Sequence, residues 1–419
     1  MTNQADVKFL HRSRKSLYVG AGVIIVGVLI FLLTLSGDGG NSTFVLESQR
    51  AGVTIAAPDL VFPTDVVLYV LAILTVIIGL FHLVRGFKRQ TPLIVSVAAL
   101  AITAFLVWAT RDKSLNLTGM LVSSLVRATP IALAALSGLY SERSGVVNIG
   151  IEGMMLVGAF SSVVFASLTG SLLVGVIAGI LTGALLGLLH AVLSIRYLVN
   201  QIISGTGIII FALGITSYLQ RSVLNNYPDL NSPGSVIAAL PIPGLWRIPV
   251  IGPVLFNQSP IIYTLIALII ITRVLMNSTR WGLHIRSVGE HPKAADTLGI
   301  NVFKIRYICV SISGAIAGLA GSYMSIGAAG RFNEGMTAGK GFLGLAAMIF
   351  GNWNSGGAFL GSLIFGFFDS WQEKLSILQV GIPVDLLGMA PYIATMVVLA
   401  GIVGRARMPA ADGQPYEKQ

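Results

Sequence analysis

The sequence predicts an all-α membrane protein, a bundle of roughly 10 to 12 transmembrane helices of which some are broken or short. Of its 419 residues, 54% are hydrophobic and only 11% are charged. The mean hydropathy is +0.83, and the chain contains 48 glycines. Uninterrupted apolar runs of this length are typical of membrane spans and exclude an ordinary soluble protein. The single cysteine, Cys309, lies in one such run, so we expect a buried thiol and no intramolecular disulfide.

Residues 1–116 are interpreted as an N-terminal extension with three spans. The predicted spans are Leu17–Leu35, Asp65–Val84 and Pro92–Ala109, with an external loop at 36–63. A basic segment before a first apolar run resembles a signal peptide. This run is too long for one, and no good cleavage site follows it, so we expect an uncleaved span.

Residues 117–404 are richer in Gly, Ala, Ser and Pro and are interpreted as the core, which is followed by a tail at 405–419. The nine predicted core spans are Leu117–Tyr140, Val147–Leu168, Leu172–Ile195, Val199–Leu219, Ile261–Met276, Tyr307–Gly327, Gly341–Trp353, Ala358–Gln372 and Leu386–Gly404. Gly341–Trp353 is short for a span at 1.5 Å per residue, so we expect a partial or re-entrant helix there. Residues 220–260 form a long loop without helical periodicity.

The distribution of Lys and Arg predicts the orientation. With both termini inside, 18 of the 27 basic residues lie on the inner side, eight lie outside, and Arg127 lies within a span. An excess of positive charge marks the cytoplasmic side. The sequence therefore predicts a plasma (inner) membrane protein with cytoplasmic N- and C-termini and a cytoplasmic loop at 277–306.

That loop contains a short helix with recognisable ends. Pro292 suits the first helical position, where its missing N–H costs nothing, and Gly299 suits the left-handed residue that closes a helix. The roughly two turns from Lys293 to Leu298 are not stable alone in water, so a neighbouring loop or a soluble partner has to hold them. The plainer interpretation is an ordinary basic loop that only sets the topology.

Four stretches carry a resemblance to a known family. They are GLHIRSVGEHPKAADTLGI at 282–300, SERSGVVNIGIEGMM at 141–155, VNQIISGTGIIIFALG at 199–214 and FLGLAAMIFGNWNSGGAFLGSLIFG at 342–366. The chain resembles the inner-membrane permeases of ABC importers for simple sugars, branched-chain amino acids and nucleosides, and it is most similar to the nucleoside branch. The resemblance covers roughly residues 117–404 and leaves the three leading spans as more than the family core needs.

The resemblance implies a nucleoside or simple-sugar permease driven by ATP hydrolysis on a separate ATPase subunit. It also implies a second, different permease subunit, an extracytoplasmic substrate-binding protein and a lipid environment. In the family, the loop helix docks into the ATPase. The residues implied in this coupling are Arg286, Gly289, Glu290, His291, Pro292, Lys293, Ala294, Ala295, Asp296, Thr297, Leu298 and Gly299.

A few polar residues inside the spans are candidates for the translocation pathway, since intramembrane polar groups are costly. Glu152 either lines the pathway or sits in the first turn of a helix capped by Asn148. Asn200 and Gln201 either face the pathway or bond across helices. Arg127, the candidate intramembrane charge, either contacts the solute or extends to the outer interface.

No motif predicts an enzyme. GMTAGKG at 335–341 lacks the glycine spacing and the Ser or Thr of a Walker A loop, and the five histidines lack metal-ligand spacing. We expect no cofactor, and the basic residues lack the interleaved aromatics of a nucleic-acid surface. The alternative function is an ATP-independent secondary transporter or channel, with a membrane-embedded enzyme third.

Overall fold

The computed structural model describes residues 14–35, 37, 39–50, 53–55, 57–87, 90–389, 392, 396 and 407–418. The chain divides into two compact units. The first unit comprises Met1–Met120 and Gln372–Gly404, and the second comprises Leu121–Trp371 and Arg405–Gln419.

The all-α prediction is confirmed, since nine helices of the described residues are long and apolar enough to cross a membrane. They are α1 (Arg14–Thr34), α2 (Thr64–Val84), α3 (Gln90–Ala109), α4 (Leu117–Arg143), α5 (Ile151–Thr169), α6 (Leu172–Ala191), α7 (Gln201–Leu219), α8 (Pro260–Ser278) and α11 (Val302–Ser322). Each corresponds to a predicted span. Three of them, α6, α7 and α11, continue into π-helical turns at Val192–Arg196, Gln220–Leu224 and Tyr323–Ala329.

The last three predicted spans differ from these nine. Gly341–Trp353 is an 11-residue helix, α12 (Lys340–Phe350), which at 1.5 Å per residue is too short to cross a bilayer. Ala358–Gln372 lies within the longer α13 (Ser355–Leu378), which is not among the nine apolar helices. Most of Leu386–Gly404 lies outside the described residues, and its first residues belong to α14 (Val384–Gly388).

The first unit holds a small sheet that the sequence did not reveal. The predicted loop at 36–63 contains four strands, β1 (Asn41–Val45), β2 (Ser48–Arg50), β3 (Val53–Ile55) and β4 (Leu60–Pro63). β1 lies between antiparallel β4 and parallel β5 (Ser114–Asn116), and β2 pairs with β3. An ion pair at 2.6 Å joins Arg111 to Asp65, the acidic residue in the first turn of α2. These strands are too short and too polar for their period to stand out.

The second unit is built on close contact between the backbones of α5, α6 and α11. A Cβ added to Gly318 of α11 would lie 2.0 Å from the carbonyl oxygen of Gly179 in α6. At Gly314 of α11 it would lie 2.2 Å from the carbonyl oxygen of Gly183. Small residues allow membrane helices to pack this closely, and neither position has room for a side chain. The abundant glycine of the core therefore serves helix packing.

Two further helices, α9 (Arg280–Glu290) and α10 (Pro292–Thr297), lie between α8 and α11. Residues 225–259 contain only short 3₁₀ and π turns and the paired strands β6 (Leu240–Pro241) and β7 (Asn257–Gln258), as expected for the long loop. We call the part of the second unit formed by α9, α10, Gly299 and residues 407–418 the loop end.

Candidate functional site

The short helix of the loop end has the ends that the sequence predicts. α10 begins at Pro292, and the Nδ1 of His291 accepts a hydrogen bond from the backbone N–H of Ala294 at 3.3 Å. After Leu298, Gly299 adopts a φ of +83°, a left-handed conformation that favours glycine. Local sequence therefore defines both ends of α10.

The helix α9, which was not predicted from the sequence, attaches α10 to the bundle. Thr279 caps α9 by accepting a hydrogen bond from the N–H of Gly282 at 3.1 Å. Gly282, Ile285, Val288 and Gly289 are buried, so α9 has one face against the core. The spacing of these four residues is helical and could have revealed the amphipathic helix.

The outward face of the loop end is open. Leu298 is 80% exposed, and Lys293, Ala294, Thr297 and Gly299 are also exposed. A groove of about 330 Å³ lies beside them, lined by residues that include Trp281, His284, Leu298, Asn301 and Lys304. The outward face of α10 is therefore accessible to another protein.

The inward face contacts the segment between α4 and α5. A Cβ added to Gly289 would lie 2.2 Å from the carbonyl oxygen of Arg143, so α9 and the end of α4 meet through their backbones. The Arg143 guanidinium donates to the carbonyl oxygen of Trp353 at 2.8 and 3.0 Å. The Trp353 indole N–H in turn donates to Oε2 of Glu142 at 2.7 Å. The last turn of α4 is thereby fixed to the turn between α12 and α13.

The same segment is anchored to α6 and α7. The backbone N–H of Val147 donates to Oε1 of Gln201 at 2.7 Å. The Val147 carbonyl oxygen lies 2.9 Å from Nε2 of His190, whose Nδ1 is 3.0 Å from Oγ of Ser204. Because these groups are buried, they fix the chain between α4 and α5. Gln201 therefore bonds to the segment between α4 and α5 and not directly to another helix.

The predicted cap at Asn148 is wrong. α5 begins after Gly150, which provides no side-chain cap. The Asn148 side chain points into the core, where Nδ2 donates to Oγ of Ser313 on α11 at 3.0 Å. Its Oδ1 is buried and has no hydrogen-bond partner among the described residues. Asn200 is the N-cap of a different helix, α7, where its Oδ1 accepts hydrogen bonds from the backbone N–H groups of Ile202 and Ile203.

Glu152 lies in the first turn of α5, as its structural interpretation predicts, and joins α5 to α12. Its carboxylate accepts hydrogen bonds from the N–H of Gly339 at 2.8 Å and of Gly341 at 2.6 Å. The side chain is buried, and the negative charge at the start of α12 interacts favourably with the helix dipole. Arg127 is half-buried in the middle of α4. Whether any of these groups lines a pathway stays a prediction.

The fold and the loop end define a class, a multi-pass α-helical membrane protein with a docked amphipathic loop and an open outward face. Residues 120–404 match the family described as branched-chain amino acid transport system / permease component. Because this match covers more than half of its residues, the chain belongs to that family of transport permeases. The family assignment implies that an ATPase and a substrate-binding protein work with it.

Three relatives give the family context. The guanosine ABC transporter permease protein NupQ of Bacillus subtilis is 42% identical over 307 residues, covering 71% of this chain and 95% of that protein. The nucleoside ABC transporter permease protein NupC of Lactococcus lactis is 40% identical over 310 residues, covering 71% and 96%. A putative glucose ABC transporter permease protein of Haloferax volcanii is 31% identical over 331 residues, covering 72% and 98%. No solved structure matches the chain.

Proposed function

We propose that the chain is a permease subunit of an ATP-binding cassette importer that moves nucleosides into the cell. The observation that carries this proposal is α10, a short helix capped at both ends, open on its outward face and attached through α9 to the last turn of α4. Such a helix suits a docking contact with a separate ATPase subunit. The identities of 40% and 42% with the two nucleoside-type permeases, against 31% with the glucose-type one, support nucleosides over sugars.

The contacts at the loop end suggest how ATP drives the transport step. The ATPase receives α10 on the cytoplasmic side, and closure of its nucleotide-binding domains displaces the helix. α9 transmits this displacement through the Gly289 contact to the end of α4. The adjoining segment, which is bonded to α6 and α7 at Val147, then changes the packing of the bundle between outward-open and inward-open states. ATP hydrolysis takes place on the partner subunit.

The remaining partners follow from the family. An external binding protein delivers the solute, and a second, different permease subunit encloses the pathway with this chain. Asn148 is the candidate pathway residue that the geometry favours, because its buried Oδ1 has no partner among the described residues and is available to a donor. Glu152, Gln201 and Asn200 already accept hydrogen bonds within the protein, so they support the walls of the pathway.

The test is uptake of radiolabelled guanosine, uridine and glucose by proteoliposomes that contain the complete complex. We expect ATP-driven uptake of the nucleosides and its loss when residues 290–299 are deleted. Transport by this chain without an ATPase would contradict the proposal and favour a secondary transporter or channel.

A matched glycine pair separates coupling from folding. Gly299→Val and Gly170→Val both place a side chain at a positive φ, +83° and +66°, and an added Cβ would meet no described atom within 4 Å at either site. Gly170 closes α5, away from the loop residues in sequence. We expect Gly299→Val to lower ATP-driven uptake and Gly170→Val to leave it close to wild type. Equal effects would contradict a coupling role for α10.

A further inference from the structure

The C-terminal tail, residues 407–418, contacts several elements of the loop end. The backbone N–H of Ala411 donates to the carbonyl oxygen of Gly289 in α9 at 2.9 Å. Nη1 of Arg306, in the first turns of α11, donates to the carbonyl oxygen of Gln414 at 3.1 Å. Two more backbone N–H groups of the tail, those of Arg407 and Ala410, donate to Asn352 and Glu290. The tail is thus bonded to α9, α11 and the turn before α13.

The tail also packs against α10 and the start of α11. Ala411, Asp412 and Tyr416 are buried. The Tyr416 ring lies 5.4 Å from the ring of Phe303, and Nζ of Lys418 lies 3.9 Å from Oδ1 of Asp296 in α10. The tail thereby supplies part of the support that a six-residue helix needs, since so short a helix is not stable alone.

Asp412 of the tail lies in a buried cluster with Glu142 and Arg306, and the three residues are 6%, 6% and 2% exposed. Both carboxylate oxygens of Asp412 lack a hydrogen-bond partner among the described residues, so packing holds the tail at this point. Glu142 belongs to the last turn of α4, and Arg306 belongs to α11. A Cβ at Gly145 would lie 2.9 Å from Nη2 of Arg306 and 3.2 Å from the carbonyl oxygen of Ala411, so the cluster leaves no space beside it. A longer side chain in place of Asp412 therefore has no room in this packed site.

We propose that the tail is a clamp that fastens the coupling loop to the ends of α4 and α11, so that a displacement of α10 is transmitted to these helices. This inference rests on the proposed function. Asp412 and Tyr416 are its positioning residues, which act by holding α9, α10 and α11 together. Without the tail, α10 still docks into the ATPase, but part of its displacement is lost in movement of the loop against the bundle.

The test compares the complete complex with variants of the tail in proteoliposomes. The variants are deletion of residues 409–419, Tyr416→Ala and Asp412→Lys, and the matched control is Glu417→Ala, an exposed position of the same tail. We expect the variants to bind the ATPase and to hydrolyse ATP. We expect their nucleoside uptake per ATP to fall by at least about fivefold, which corresponds to the lower end of typical coupling free energies between two sites. Glu417→Ala is expected to match wild type.

A weaker ATPase complex with unchanged uptake per ATP would overturn the clamp and make the tail a docking surface. Unchanged binding and unchanged uptake per ATP would overturn it as well. The proposed function is tested separately by wild-type ATP-driven uptake and its loss on deletion of 290–299. If both are observed while the tail variants behave like wild type, only the clamp fails.

A cross-linking experiment tests the clamp in a second way, which does not depend on how much of a tail variant is lost to misfolding. In the double variant Asp296→Cys, Lys418→Cys, a short bifunctional thiol reagent fixes the tail to α10, and the native Cys309 is buried. We expect the cross-linked complex to keep its uptake per ATP, because a clamp works while closed. Loss of uptake on cross-linking, with recovery on cleavage of the linker, would show that the tail has to detach and would overturn the proposal.

Discussion

The helices of the two units pack in different ways. In the first unit, a Cβ added to Gly27 of α1 or Gly79 of α2 would first meet the side chain of Val76 or Ile24, and the nearest backbone atoms of the facing helix would lie 3.1 and 3.2 Å away. In the second unit, α6 and α11 meet through backbone atoms, with Gly179 and Gly183 facing Gly318 and Gly314. Side chains adapt to a substitution by changing rotamer, whereas backbones cannot. The α6–α11 contact is therefore fixed more narrowly than the α1–α2 contact.

The largest expected effect is a side chain in the α6–α11 contact. Gly314→Leu should prevent native packing, because even a Cβ would lie 2.2 Å from the carbonyl oxygen of Gly183. The control is Gly22→Leu in α1, where an added Cβ would meet no described atom within 4 Å. The measurement is the monodisperse yield after detergent extraction. A normal yield of Gly314→Leu would contradict backbone packing in the core.

The second effect concerns the carboxylate that joins α5 to α12. Glu152→Gln replaces a charged acceptor of two backbone N–H groups by an amide that can accept only at its oxygen. We expect the free energy of unfolding to fall by about 2 kcal/mol, as for other hydrogen bonds to charged groups. Thermal unfolding of the purified protein measures this loss as a lower midpoint temperature. Asp59→Asn, at an exposed site of the first unit, should leave the midpoint unchanged.

The third effect is a dependence of tail docking on pH. Burial raises the pKa of the Asp412 carboxyl from 3.8 to about 7, and the nearby positive charge of Arg306 opposes part of this rise. The docked state therefore binds more protons than the undocked state between these two pH values, and docking weakens as the pH rises through that window. It is strongest in acid and weaker at pH 8 than at pH 6.

Distances between spin labels at Thr297 and Glu417, both exposed, measure this docking. We expect a single short distance at pH 6 and an added longer population at pH 8. The double variant Asp412→Asn, Glu142→Gln, which removes both carboxyls of the buried cluster, should give the same distribution at both pH values, and Asp412→Asn alone should reduce the difference between them. A pH response that persists in the double variant would assign it to another group.

The smallest effect is expected from the first unit. Deletion of residues 2–89 removes α1, α2 and the strands between them and keeps α3 as one leading span. Since the family match begins at residue 120, we expect the shortened protein to insert and to retain most of its nucleoside uptake. Loss of uptake by a stably inserted protein would give the N-terminal extension a role in transport.

Much of the fold follows from hydropathy. Nine spans and both ends of α10 could be predicted because apolar length, Pro292 and Gly299 are local signals. The sheet in the first unit was missed because its strands are short and polar, whereas α9 has a helical spacing of Gly282, Ile285 and Val288 that the apolar-run criterion does not detect. The family was recognisable from the motifs at 141–155 and 282–300, whose resemblance the comparisons bear out.

The polar contacts of the site depend on tertiary structure. Asn148 precedes an apolar run and has the position of a cap, yet its side chain bonds to Ser313, 165 residues away. The sequence places Arg306 among the basic residues of the predicted cytoplasmic loop, whereas the structure buries it beside Asp412 of the tail. Separations of this size carry no local signal, so neither the cluster nor the role of the tail could be predicted.

The side of the membrane on which α10 lies decides whether this helix can dock into an ATPase. Ala294 is exposed on α10, and the only native cysteine, Cys309, is buried, so Ala294→Cys gives one reactive thiol. With a membrane-impermeant maleimide, we predict no labelling in intact cells, labelling in inside-out vesicles, and protection there when the ATPase subunit is bound. Labelling in intact cells would contradict a cytoplasmic coupling loop, and labelling that the ATPase does not reduce would contradict docking at α10.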